Sequence, residues 1–194
     1  MTLADAFLPR LLAISGSLRR ASNTTAVLRG LAPLLEGRAQ LDVVLLHEIP
    51  PYNADFEGDA LPEPVRRLKQ SIAGCDGLVI ASPEYNYGMS GVLKNALDWA
   101  SRPGFASPLK GKPALIITTS PGLFGGVRAQ AQVRDVLAAT LARPLARQQL
   151  AIPGVDKKLV DERIADDVTL QLLRAGLDDL LAEITLLRRS SSAS

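Results

Sequence analysis

At 194 residues, with 47% hydrophobic and 22% charged side chains, the chain has the make-up of one ordinary globular domain and not of a disordered segment. A net charge of +2 offers no basic surface for nucleic acid or an anionic membrane, but leaves room for a phosphate held by local charge. One cysteine, Cys75, excludes an intramolecular disulfide framework and a thiolate metal cluster, and points to a reducing cytoplasm.

Residues 1–10 lack a basic stretch leading into an apolar one, so no signal peptide is expected, and the longest apolar runs are far below the ~20 residues of a membrane helix. Five runs have strand length and composition: residues 10–15 (RLLAIS), 41–46 (LDVVLL), 76–81 (DGLVIA), 113–119 (PALIITT) and 145–152 (LARQQLAI). Helical patterns follow each of them, over residues 22–35, 62–74, 91–101, 127–141 and 165–187. In the first, Ala26, Leu28, Leu31, Leu34 and Leu35 recur at near-helical spacing before Gly37. Cys75, between a helix and a strand, reads as a small buried hydrophobe. The basic, serine-rich residues 188–194 read as a disordered tail beyond a single domain spanning 1–187.

Strands alternating with helices predict an α/β fold, a three-layer sandwich with a parallel sheet between two helical layers. Right-handed crossovers leave few topologies. The one expected here is flavodoxin-like, five-stranded, in order 2-1-3-4-5, with its ligand crevice at the carboxyl ends of strands 1 and 3. The loops after strands 1, 3 and 4 neighbour one another in that arrangement, and those three have unusual composition.

The first runs Ser15-Gly16-Ser17-Leu18-Arg19-Arg20-Ala21-Ser22-Asn23-Thr24. Glycine lets it turn, its hydroxyls precede a helix N-terminus that favours anions, and Arg19 or Arg20 offers a fork matched to phosphate oxygens. A plain N-cap by Ser22 or Asn23 accounts for one hydroxyl and not for the whole set. The Walker pattern GxxxxGK[ST] and the GxGxxG turn are both absent. The second loop, Ser82-Pro83-Glu84-Tyr85-Asn86-Tyr87-Gly88-Met89-Ser90-Gly91, holds two of the three tyrosines and could border a planar heterocycle, or be a tight turn with packed tyrosines. The third, Thr119-Ser120-Pro121-Gly122-Leu123-Phe124-Gly125-Gly126, permits close backbone approach to a ligand, or is a flexible turn.

Together, Gly16-Ser17-Leu18-Arg19 with Ser22, Pro83-Glu84-Tyr85-Asn86, Gly91-Val92-Leu93-Lys94-Asn95-Ala96-Leu97-Asp98-Trp99, and Ser120, Gly122, Gly125 and Gly126 resemble the NADPH-dependent FMN reductase family, which includes quinone, chromate and azo-compound reductases. The resemblance runs from about residue 10 to residue 152. It implies that Ser17, Arg19 and Ser22 bind the FMN phosphate, that Pro83, Glu84, Tyr85 and Asn86 line the isoalloxazine, and that Ser120 and Gly122 sit at its other edge. The family's asparagine after the second serine falls at Thr24, with Asn23 one position early, so either of the two completes the phosphate set. The stretch Tyr87-Gly88-Met89-Ser90 stands where relatives often carry a short polar segment ending in Pro-Gly. His47, the only histidine, lies in a loop that in the family tends to approach subunit contacts, and reads as structural.

The resemblance further implies FMN as cofactor, NADPH or NADH as co-substrate, and a homodimer or homotetramer. In the expected reaction, hydride passes from NAD(P)H through flavin N5 to a small quinone-like acceptor in ping-pong order, with no catalytic side chain and no metal. The alternative is an FMN-binding electron carrier or flavin-responsive regulator without NAD(P)H turnover; a pI near 8.8 argues against the acidic flavodoxin carriers.

Overall fold

The structure is a computed structural model in which residues 7–192 are described. Its centre is β1 (Arg10–Ser15), flanked in parallel by β2 (Gln40–Leu45) and β3 (Gly77–Tyr85), so that Ile14 lies beside both Val44 and Ile80. Next to β3 runs β5 (Pro113–Ser120), also parallel, with Ala81 beside Ile117. The helices are α1 (Asn23–Arg29), α2 (Glu63–Gly74), α3 (Gly91–Ala100), α4 (Val127–Ala139) and α5 (Asp167–Ser192).

Strand side chains alternate between two buried faces, which is why these runs are apolar throughout. Leu12, Ile14, Leu78, Ile80 and Ile116 pack against Leu68, Ile72, Leu93, Leu97 and Val133 of α2, α3 and α4. Leu11, Ala13, Val79, Leu115 and Ile117 pack against Val27, Leu28, Leu173, Leu177 and Leu180 of α1 and α5. Each such Leu, Ile or Val contributes about 1.5–3 kcal/mol on leaving water.

The expected sheet needs correction. It has seven strands, not five in order 2-1-3-4-5: five lie on the path β2-β1-β3-β5 and then Arg143–Pro144, and two more pair with β3 and β5 off that path. One addition is β4 (Gly88–Met89), which folds back antiparallel on β3, pairing Glu84 with Met89 and Tyr85 with Gly88. The turn between them holds Asn86 and Tyr87 at φ 48° and 67°, the positive pair required by the hairpin turn whose twist suits the strands. The other change concerns the expected last strand, residues 145–152, of which only 150–152 is strand, within β7 (Leu150–Pro153); a further short strand, β6 (Arg143–Pro144), precedes the expected run, and both are parallel to β5. Pro144 has no N–H for a ladder, and just beyond it the Arg147 N–H turns back to the Leu145 carbonyl at 3.0 Å.

Two further differences follow from local chemistry. Helix α1 stops at Arg29, since Gly30 and Pro33 hand the chain to a 3-10 turn at Ala32–Leu34. At the other end α5 continues through Ser192, whereas residues from 188 onward read as disordered; Arg188 pairs with Asp76 at 3.5 Å and lies 3.3 Å over the Phe7 ring. Residues 193 and 194 lie outside the described residues. A small antiparallel pair, β8 (Leu159–Val160) with β9 (Arg163–Ile164), precedes α5.

Candidate functional site

The carboxyl ends of β1, β3 and β5 open on one edge of the sheet, and the three unusual loops meet there. The loop after β1 is pinned first by its glycine. Gly16 N–H donates to the Ala81 carbonyl at 2.7 Å, and a Cβ at this position would stand 2.9 Å from both that oxygen and Ser90 Oγ. No other residue lets the loop lie so close to β3 and α3.

Ser17 is buried, and its Oγ accepts from the Arg19 N–H at 3.4 Å. Ser22 Oγ caps α1 by accepting from Thr25 N–H at 3.1 Å, which leaves the Asn23 and Thr24 N–H groups without an intrahelical acceptor. Thr24 is 2% exposed, and its hydroxyl bonds Thr119 Oγ1 of β5 at 2.7 Å; Asn23 is half-buried. Arg19 and Arg20 are exposed, with no carboxylate partner among the described residues.

In the second loop Pro83 lies in β3 beside Thr119 of β5, and Tyr85 is exposed at the strand end. Asn86 sits on the exposed hairpin turn. Glu84 behaves differently. Its side chain is 13% exposed, and Oε2 accepts from the N–H groups of Arg128 at 3.0 Å and Ala129 at 3.2 Å. Oε1 reaches Arg128 Nη1 at 3.5 Å. Glu84 therefore caps α4, whose own N-cap residue, Gly126, has no side chain to do so. The Arg128 guanidinium lies 4.3 Å over the Tyr87 ring and 5.6 Å from that of Phe124.

In the third loop Ser120 Oγ accepts from Gly122 N–H at 3.0 Å, and the Gly122 carbonyl accepts from Gly154 N–H at 3.2 Å. Gly125, at φ 60°, passes so close to β7 that a Cβ would stand 2.7 Å from Ala151 C and Ile152 N.

A groove of about 540 Å³ runs between the first loop and the hairpin, lined by Gly16, Ser17, Arg19, Tyr85, Ser90 and Val92 among others. Its lining combines hydroxyl and guanidinium groups with an exposed aromatic ring, a set suited to a phosphate-bearing planar heterocycle, and the size falls in the usual range for ligand pockets. The structure brings Ser17, Arg19 and Tyr85 to this groove and ties Thr24 to β5. It turns Glu84 toward α4. Ser90, noted in the sequence only as part of the stretch that departs from the family pattern and not among the cofactor-binding residues, lines the groove and caps α3 by accepting from Leu93 N–H at 3.3 Å; a serine immediately before an apolar helical run was the available signal.

Outside the groove, His47 Nε2 bonds the Leu18 carbonyl at 3.0 Å and so braces the loop after β1. Cys75 is buried, donates to the Ile72 carbonyl at 3.2 Å, and has its thiol pKa pushed up by burial. Among the described residues no cluster of His, Cys, Asp and Glu could hold a metal, and no helix is long and apolar enough to cross a membrane.

The sequence profile of NADPH-dependent FMN reductases matches residues 9–157. The chain is 37% identical over 180 residues to the NAD(P)H-dependent FMN reductase of Pseudomonas aeruginosa, covering 92% of this chain and 97% of that one. It is 47% identical over 125 residues to a 2-hydroxy-1,4-benzoquinone reductase of a Burkholderia species, covering 64% of this chain and 68% of that one. Among solved structures, the flavoenzyme NAD(P)H:acceptor oxidoreductase FerB of Paracoccus denitrificans superposes with a TM-score of 0.82 at 34% identity, covering 92% and 98% of the two chains. The chain belongs to the NADPH-dependent FMN reductase family, oxidoreductase enzymes with FMN as cofactor and NAD(P)H as co-substrate.

Proposed function

We propose that the chain accepts reducing equivalents from NAD(P)H and passes them to a quinone-like acceptor in ping-pong order, with both substrates using one open face in turn. When bound, FMN supplies the hydride chemistry, and the chain supplies placement and electrostatics. The observation that carries this reading is the groove between the first loop and the hairpin, whose lining combines hydroxyl and guanidinium groups with an exposed aromatic ring. The quinone reductase named among its relatives supports the acceptor class.

In this reading Ser17, Arg19 and Ser22 hold the phosphate, and Asn23 joins them in preference to Thr24, whose hydroxyl is already engaged by Thr119. Pro83, Tyr85 and Asn86 border the isoalloxazine, with Ser120 and Gly122 at its opposite edge. Glu84 acts there through α4, holding the first turn whose loop forms that edge. Fixed N–H dipoles in these loops stabilise negative charge as it develops on the ring. No proton-transferring side chain is required. A homodimer or homotetramer belongs to the same proposal, and exposed Phe105 is apolar surface that such an assembly would cover.

The test is an absorbance spectrum of purified protein, followed by NADPH oxidation with and without benzoquinone. Bound flavin, steady turnover and parallel double-reciprocal lines are expected. A flavin-loaded protein without turnover would make it a carrier or regulator, and intersecting lines would refute the shared face.

A further inference from the structure

A second cavity, also about 540 Å³, lies on the other side of the loop after β1, toward the end of β2. Ser17, Leu18 and Arg19 line both cavities, so this one loop is the wall between them. The outer bay adds Arg20, Arg29, Thr25 and His47, and neither aspartate nor glutamate lines it. Its positive charge is poorly balanced. Glu162 approaches Arg29 Nη1 at 3.7 Å, but the two side chains are 66% and 56% exposed, where an ion pair is weak. Arg20 has no ion pair among the described residues. Since a carbonyl can only accept, His47 Nε2 must be the donor to Leu18, and that bond holds the ring beside the bay.

One flavin phosphate does not use this much cationic surface. Arg19 reaches the inner groove, where the flavin phosphate is placed, whereas Arg20 and Arg29 line the outer bay alone. A phosphomonoester carries about −1.5 to −2 at neutral pH, and guanidinium forks suit its oxygens. Of the two nicotinamide nucleotides, NADPH carries such a group on its adenosine ribose and NADH does not.

We propose that the bay formed by Arg20, Arg29 and His47 binds the 2′-phosphate of NADPH and makes the chain prefer NADPH to NADH. This rests on the nicotinamide-dependent turnover proposed above, and two measurements separate the two claims. The probe for the bay is adenosine 2′,5′-bisphosphate, titrated calorimetrically into FMN-loaded protein with 5′-AMP as the control. The kinetic readout is the ratio of kcat/KM for NADPH to that for NADH.

In an Arg20→Gln/Arg29→Gln variant, both the bisphosphate affinity and that ratio should fall by about tenfold or more, the loss of at least one charge-assisted contact. The 5′-AMP affinity should stay level. Arg20→Gln alone, on an exposed loop, should give a smaller loss in the same direction and guards against misfolding of the double variant. An unchanged ratio with unchanged bisphosphate affinity overturns the proposal. So does loss of FMN affinity with the ratio intact, which would give the bay to the flavin phosphate. Absence of turnover with either nucleotide defeats the reductase reading, while the bisphosphate titration still decides the bay.

Discussion

Replacing Glu84 separates a role at the flavin from a role in the fold. Its carboxylate takes two N–H groups of the first turn of α4, at 3.0 and 3.2 Å, from a position 13% exposed. The Arg128 N–H is exposed, and its loss costs about 1 kcal/mol; the partly buried Ala129 N–H, left unpaired, costs about 1.5 kcal/mol. Loss of the anion from the helix end adds roughly 0.5 kcal/mol. Glu84→Ala should therefore lose about 3 kcal/mol, and at about 2–4 °C per kcal/mol for a chain of this size its Tm should drop by roughly 6–12 °C. Glu84→Gln keeps an acceptor without the charge and should lose about half as much. The side chain of Arg128 contributes little, being 3.5 Å away and half exposed, so the coupling in an Arg128→Ala double cycle should stay below about 1 kcal/mol. Thermal melts of apoprotein and an FMN titration read the outcome. If Glu84→Ala melts within about 2 °C of wild type yet binds FMN about tenfold more weakly, the carboxylate acts on the ligand and the capping account is wrong.

Arg19→Ala should weaken FMN by about 1–3 kcal/mol, roughly 5- to 150-fold in Kd, if its fork holds the phosphate; an unchanged fluorescence titration would move that contact to Arg20. Thr24→Val removes the buried bond to Thr119 and should cost about 1–2 kcal/mol of stability with less effect on FMN affinity than Asn23→Ala, an order that the same titration reads directly. Asp166, just before α5, accepts from the Thr169 hydroxyl at 2.6 Å and N–H at 2.8 Å, and these bonds with nearby Lys158 lower its pKa from 3.8. Its ionised form is favoured in the folded state, so its stabilisation is full above the unfolded value of 3.8 and is lost as pH falls through the lower folded value. Asp166→Asn should thus melt below wild type at neutral pH, with the gap closing in acid; a gap independent of pH would exclude the charge as its source.

Elements that bury both faces were plain in the sequence. β1 occupies the expected residues, and β5 exceeds its expected span only by Ser120, since unbroken apolar runs leave little ambiguity about their ends. The extension of β3 to Tyr85 was hidden, because Ser82, Pro83 and Glu84 read as loop chemistry while β5 still pairs alongside as far as Pro83. The hairpin after it was hidden too, as Tyr87 occupies a positive-φ position where glycine is the usual signal. Pro144, just ahead of the expected last run, ends the short β6 and was a readable sign that no continuous strand passes through it. The turn of Glu84 toward α4 left no trace in the sequence, for its partners lie 44 and 45 residues away and no local pattern encodes them.

These long-range ties also divide the site into a fixed side and a free side. Gly16 bonds Ala81, Thr24 bonds Thr119, Ser90 N–H donates to Ser82 Oγ at 3.1 Å, and Glu84 clamps α4. Each joins two of the segments that surround the groove, so its walls are held by the protein itself. A cofactor entering such a groove loses little binding energy to ordering it, which favours tight retention. The outer rim lacks comparable bracing. Tyr87, Leu123 and Phe124 stand 66–89% exposed, with Arg128 over two of their rings. Under the proposed assignment the rim faces the acceptor, and apolar side chains free to change rotamer discriminate poorly among flat substrates. The same architecture thus joins a closely specified flavin to a loosely specified acceptor, and substitutions at Tyr87 or Phe124 should alter acceptor range with little effect on flavin retention.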